Sequence, residues 1–244
     1  MASFPWSAGA RAKSIALDDA VCVIGLGRFG SALALELMAD GVEVLGIDAN
    51  HDHVQALDGQ LTHVVRADST KEETLRALSV HEFSRVVVAI GSDLQSSILT
   101  TSLLLKFGVP SIWAKAVSAQ HGEILQQLGV EHVVYPESDM GRRVAHLVRF
   151  ALQDFIEIGD DFVFVKNRPP KAAIGLPLGD LELRRRYGVS ITAVKKPGRA
   201  WTVAQSNTVL GSDDLVLVAG TKRETEAFTR LEGAGDAGSA GGSV

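Results

Sequence analysis

Short apolar runs and longer stretches of helical spacing take turns along the chain from residue 20 to residue 135. The runs at 21–24, 43–47, 63–66, 86–90, 112–116 and 132–135 have strand length, and VCVI and VVVAI are apolar throughout. Unbroken apolarity is expected of a strand covered by helices on both faces. The segments between them predict helices over 30–39, 52–57, 71–78, 94–107 and 119–128. Such alternation folds as a doubly wound α/β domain around a parallel sheet, here of six strands over residues 20–138.

The pattern changes after Pro136. Met140, Val144, Leu147, Val148, Ala151, Leu152 and Phe155 recur at helical spacing, predicting one long helix over 139–155. The first sheet has no need of it, so 139–158 reads as a crossover to a second body. Strand signals follow at 162–165, 189–194, 201–203 and 215–218, with a turn through Pro169 and Pro170, a short helix over 178–187 and a last helix from 222. They predict a small α+β domain over 159–231, of a size suited to sensing or dimerisation. Residues 1–19 lack periodicity beyond a short ordered piece at 14–17, and 232–244 is low-complexity Gly/Ala/Ser. The first is expected to be a flexible tail and the second to be disordered.

Chemistry concentrates where the first strand ends. Gly25, Gly27 and Gly30 stand at GxGxxG spacing, and the second strand closes on Asp48. Gly25 permits a tight turn, Gly27 lets backbone N–H groups approach a diphosphate, and Gly30 lets helix and strand pack closely, giving a Rossmann-like fingerprint. The helix N-terminus offers unpaired N–H groups and a positive dipole end to phosphates. Asp48, about 20 residues on, can accept from ribose hydroxyls. Arg28 projects a fixed positive charge from inside the loop, suited to terminal phosphate oxygens or, alternatively, to a neighbouring carboxylate. Asp68 would face the adenine side, or cap the following helix as Ser69 or Thr70 also could. The segment 89–93, AIGSD, ends the fourth strand, where ligands of open α/β sheets sit.

Composition narrows the choices. A net charge of -5 without a basic stripe argues against nucleic acid as a partner. Cys22, the single cysteine, lies inside the first strand and reads as a buried hydrophobe. No secretory segment or membrane-spanning run is evident, so a cytoplasmic protein is expected, able to dock on a membrane partner. Catalytic candidates are scarce: the region from Asp160 onward has no histidine, His146 is the one before it, and no GxSxG elbow or Cys/His pair occurs. His51 and His53 lack a third ligand at zinc spacing and read as exposed residues near the nucleotide pocket. Two readings remain at this point, a nucleotide-binding regulatory module and an NAD-dependent oxidoreductase, in which Asp48 would disfavour the 2′-phosphate of NADP.

Further motifs add a resemblance. VIGLGRFG (23–30), EVLGID (43–48), RADST, VVVAIGSDLQSSILTTSLLLKFGVPSIWAKA (86–116), YPESDMG (135–141) and LRRRYGVSITAVKK (183–196) resemble the RCK (KTN) domain regulators of potassium transport, of the KtrA and TrkA type. The resemblance runs from about residue 21 to residue 231. It implies a Rossmann-like RCK N-lobe and a small TrkA_C-like C-lobe, with no enzymatic step. It implies ATP or ADP, and NAD(H) as a further ligand, held by Gly25, Gly27, Phe29, Gly30 and Asp48. Asp68, Ser69, Ala89, Ile90, Gly91 and Lys115 would line the adenine and ribose side. Arg28 would reach the γ-phosphate bound in a neighbouring subunit, and Glu137 would help hold Mg²⁺, Ca²⁺ or Na⁺ at the dimer interface. Homodimers would assemble into an octameric ring that gates a membrane potassium-translocating subunit of the KtrB or TrkH type, at the inner face of the membrane. Cyclic di-AMP would meet Arg168, Ile174 and Pro197 in the C-lobe.

Overall fold

The computed structural model describes residues 19–150, 154–159 and 161–231. The chain divides into two compact units, Met1–Ser138 and Asp139–Val244. The tails expected at 1–19, apart from Asp19, and at 232–244 lie outside the described residues, as does the ordered piece expected at 14–17.

In the first unit, β1 (Val21–Ile24), β2 (Val44–Asp48), β3 (His63–Arg66), β4 (Arg85–Val88), β5 (Ser111–Lys115) and β6 (His132–Val134) form one sheet in the order β3-β2-β1-β4-β5-β6. Every pairing is parallel. The helices between them are α1 (Arg28–Ala39), α2 (His51–Leu57), α3 (Glu72–Ala77), α4 (Leu94–Phe107) and α5 (Ala119–Gln127). All four residues of β1 are buried because its alternate side chains feed two cores. Cys22 and Ile24 join Val86, Val88, Leu104 and Leu125 on one face, while Val21 and Val23 join Leu26, Ala34 and Leu57 on the other. Full burial of such aliphatic side chains contributes about 1.5–3 kcal/mol each. Strand order reverses between β1 and β4, which opens a crevice beyond their carboxyl ends.

Helix boundaries follow local capping. Asp93 accepts from the Ser96 N–H at 3.2 Å to start α4, which ends at Gly108 with φ +72°. Helix α1 begins at Arg28, two residues before the predicted start, because Gly27 already has the extended geometry of an N-cap.

The second unit is an antiparallel sheet in the order β10-β9-β11-β8-β7. Its strands are β7 (Asp154–Gly159), β8 (Phe162–Asn167), β9 (Ser190–Lys195), β10 (Trp201–Val203) and β11 (Leu215–Thr221). Helices α7 (Leu183–Tyr187) and α8 (Lys222–Thr229) supply Leu183 and Phe228 to a core with Val189, Val194, Val216 and Val218. Two expectations are corrected. The helix predicted over 139–155, α6, spans Pro136–Phe150, and 154–159 form β7 instead of a crossover. Phe155 fits both periods, but in β7 it is buried against Val163 and Val165 while Ile156 points outward. The helix predicted over 178–187 breaks at Glu182, whose φ of +46° separates a 3₁₀ turn, Leu178–Leu181, from α7.

Candidate functional site

The crevice at the β1–β4 switch is a cleft of about 620 Å³. Its floor is the glycine loop. Gly25 has φ +94° and donates its N–H to the Ile47 carbonyl at 2.8 Å, and a Cβ there would stand 2.8 Å from the Ile90 nitrogen. A Cβ on Gly30 would overlap the Gly25 carbonyl oxygen. Gly27 differs: a Cβ there would meet nothing within 4 Å, so its glycine serves the open cleft and not the packing. No side chain caps the α1 N-terminus. Its first N–H groups therefore remain available to an anion.

Asp48 is the hub of the loop. Its Oδ2 accepts from the Leu26 N–H at 2.6 Å and its Oδ1 from the Asn50 N–H at 2.7 Å. His53 Nδ1 lies 3.1 Å from Oδ2. The carboxylate thus ties the glycine loop to the start of α2 while lining the cleft.

A second charged group stands across the cleft. Lys115 is buried at the end of β5, and its Nζ donates to Glu137 Oε1 at 2.5 Å. The same ammonium lies 5.7 Å from the Phe29 ring centroid. The hydrogen bond from Lys115 holds the Glu137 carboxyl below the usual carboxylate range, with the Arg28 charge acting in the same direction. Arg28 is exposed at the first turn of α1. Arg28, the Lys115–Glu137 pair, the uncapped α1 N-terminus and Asp48 therefore line one cleft.

The remaining predicted residues divide. Ala89, Ile90 and Gly91 follow β4 into the cleft. Asp68 accepts from both the N–H and the hydroxyl of Thr70, which lowers its carboxyl below the ordinary range, hydroxyl first. It does not cap a helix, because α3 starts at Glu72 behind Lys71 with no side-chain cap. Ser69 is buried with its hydroxyl 2.9 Å from that of Thr100 on α4, so it braces the rim from inside. Among the described residues, no group of three or more His, Cys, Asp or Glu stands together as a metal site. Glu137 meets the Lys115 ammonium through one of its two carboxylate oxygens.

The chain is similar to known proteins. Residues 21–136 match the TrkA-N domain and residues 163–233 the TrkA-C domain. The Ktr system potassium uptake protein C of Bacillus subtilis (strain 168) is 35% identical over 209 residues, covering 85% of this chain and 95% of that protein. The Ktr system potassium uptake protein A of Vibrio alginolyticus is 34% identical over 204 residues, covering 83% and 93%. The chain belongs to the Ktr family of potassium uptake proteins.

Solved structures share the Ktr chain's fold. The GsuK RCK domain superposes with a TM-score of 0.60 at 20% identity, covering 89% of this chain and 49% of its own. The GsuK channel bound to NAD gives 0.61 at 20% identity, covering 89% and 40%. The Ktr chain thus spans half or less of those solved chains. Among its described residues no helix is long and apolar enough to cross a membrane.

In the C-terminal unit of this Ktr protein, Arg168 is exposed beyond β8, Ile174 pairs with Leu210 in an isolated bridge, and Pro197 is exposed in the β9–β10 turn. None of the three lines either of the two depressions described in that unit. His53 was legible only as a neighbour of the pocket. Its usable signal is spacing: Asn50 accepts from the Asp52 N–H to start α2, which brings His53 back over Asp48.

Proposed function

We propose that this Ktr-family chain is a nucleotide-binding regulatory subunit of a potassium uptake system, and that the bound nucleotide sets the conformation through which it gates a membrane-embedded potassium-translocating partner. The observation that carries the reading is the polarity of the 620 Å³ cleft. An uncapped helix N-terminus, Arg28 and Lys115 favour a diphosphate at one end, and Asp48 favours ribose at the other. ADP, ATP and NAD(H) share that diphosphate–ribose unit. Ala89, Ile90 and Gly91 supply an apolar and backbone wall for the base, and Asp68 a polar rim.

ATP carries more negative charge than ADP, and Arg28, exposed on α1, would feel the difference at the γ-phosphate, its own or that of a neighbouring subunit. A ligand shifts a conformational equilibrium only by its unequal affinity for the two states. The charge difference supplies that inequality without a chemical step, so the role needs no catalytic base. In this reading the chain works as a homodimer assembled into an octameric ring on the cytoplasmic side of its membrane partner. Isothermal titration of the purified protein with ATP, ADP and NADH tests the core of the proposal. Binding of at least one at micromolar affinity is expected, and no binding of any of the three would sink it.

A further inference from the structure

The acceptor positions of Asp48 are nearly all taken. A carboxylate offers about four lone-pair positions. Oδ1 accepts from Asn50, and Oδ2 accepts from Leu26 at 2.6 Å while facing His53 Nδ1 at 3.1 Å. Since a carboxylate oxygen only accepts, the facing ring nitrogen carries a proton and donates. One position is left, whereas a ribose presenting both vicinal hydroxyls needs two. The backbone donors are fixed by the loop. His53, on a surface helix with 43% of its side chain exposed, is the donor free to leave.

We propose that His53 competes with the ribose of the bound nucleotide for Asp48, so that nucleotide affinity falls as proton concentration rises. The inference rests on the nucleotide reading above. A neutral imidazole gives up a hydrogen bond to the carboxylate when the ribose arrives. An imidazolium gives up that bond together with the attraction of opposite charges, and the ribose then displaces it less readily. Imidazole is the side chain that changes charge between pH 5 and 8.

The other charged groups around His53 do not imitate this. On its own helix stand His51 and Asp52, and on β2 stands Asp48. Arg66 closes β3 with its Nε on the Ala49 carbonyl at 3.1 Å and Asp68 follows it, while Arg28, Asp93, Lys115 and Glu137 line the same cleft. Carboxylates, lysine and arginine ordinarily keep their charge between pH 6 and pH 8. His51 is the remaining imidazole in this group, so His51→Gln is the natural control.

The test is calorimetric titration of ADP into the wild type, His53→Gln, His53→Ala and His51→Gln at pH 6 and pH 8, with thermal melts to verify folding. Comparing variants cancels the protonation of ADP itself. The ratio of affinities between pH 8 and pH 6 should be about fivefold larger in the wild type than in His53→Gln, whose amide donates without titrating. His53→Ala should bind more tightly than the wild type at pH 6, and His51→Gln should match the wild-type ratio. The analogue 2′,3′-dideoxy-ADP makes no demand on Asp48, so its ratio in the wild type should equal that of ADP in His53→Gln. Equal ratios for ADP in the wild type and His53→Gln, with ADP still bound, overturn the proposal alone. No binding of ADP, ATP or NADH by the folded wild type overturns the nucleotide reading and this inference with it.

Discussion

Lys115 and Glu137 form a hydrogen-bonded ion pair of unequal burial: the lysine side chain is 9% exposed and the glutamate 62%. The ammonium therefore depends on its partner more than the carboxylate does. Replacing Glu137 with Gln leaves a nearly buried cation facing a neutral acceptor. Allowing for screening at the exposed glutamate, the loss should be about 1 kcal/mol, read as a lower urea midpoint. The same substitution removes a negative charge beside the end of the cleft proposed for the phosphates, so ADP should bind more tightly. Lys115→Met should act oppositely on the ligand, weakening ADP about tenfold by removing one charge-assisted contact. Equal effects of both variants on ADP would contradict the placement of phosphates on this side.

The three glycines of the loop should separate folding from binding. Gly30→Ala drives a methyl into the Gly25 carbonyl oxygen, a backbone atom that cannot rotate away. A loss of about 3 kcal/mol or failure to fold is expected. At Gly27 the same methyl meets open space, and φ of −66° suits alanine. Gly27→Ala should melt within a few degrees of the wild type yet bind ADP at least about tenfold more weakly, since the methyl occupies the approach to the helix N-terminus. Unchanged ADP affinity in a folded Gly27→Ala protein would remove the diphosphate from this loop.

Asp154 should make the C-terminal unit sensitive to acid. It accepts from Arg143 on α6 and from the Phe155 N–H at 2.8 Å, and the arginine hydrogen bond first, then the N–H, hold its carboxyl below the usual range. A carboxyl whose pKa is lowered in the folded state adds stability that is complete above its unfolded value, near 3.9, and is lost as pH falls through the folded value. Asp154→Asn should therefore cost about 1 kcal/mol at pH 7, discounted for a side chain one-third exposed. The gap between variant and wild type in urea melts should narrow as pH falls below the unfolded value. A gap that persists at low pH would assign the loss to geometry and not to charge.

Most of the parallel sheet was legible because continuous apolar runs such as VCVI leave a strand few alternatives, and the glycine loop was legible because Gly25 and Gly30 each answer a steric demand. The C-terminal unit was harder for a physical reason. Phe155 satisfies helical spacing after Leu152 and strand alternation before Ile156, and pairing with β8 decides between them. The break at Glu182 leaves no mark, because the left-handed residue there is not a glycine. In the site, the ends of β1, β2 and β4 could be read from strand order. The Lys115–Glu137 pair and the hold of His53 on Asp48 join residues by side-chain reach, which spacing alone does not encode.

The exposed face of α6 gives the last prediction. Met140, Val144 and Val148 recur every four residues and are 55%, 45% and 78% exposed, while Leu147 packs on Phe155, Val163 and Val165. The helix thus packs Leu147 on its own chain and leaves a stripe of three apolar side chains open to solvent in a single chain. Leaving three aliphatic side chains in water forgoes about 1.5–3 kcal/mol for each that could be buried. A second copy of the chain presenting the same stripe would bury both, as a two-fold interface requires. Val144→Asp with Val148→Asp should therefore shift the protein to smaller species in light scattering at micromolar concentration, without lowering the monomer's own melting temperature by more than a few degrees. A double variant that keeps the wild-type mass would free α6 from the interface and put the dimer contact elsewhere.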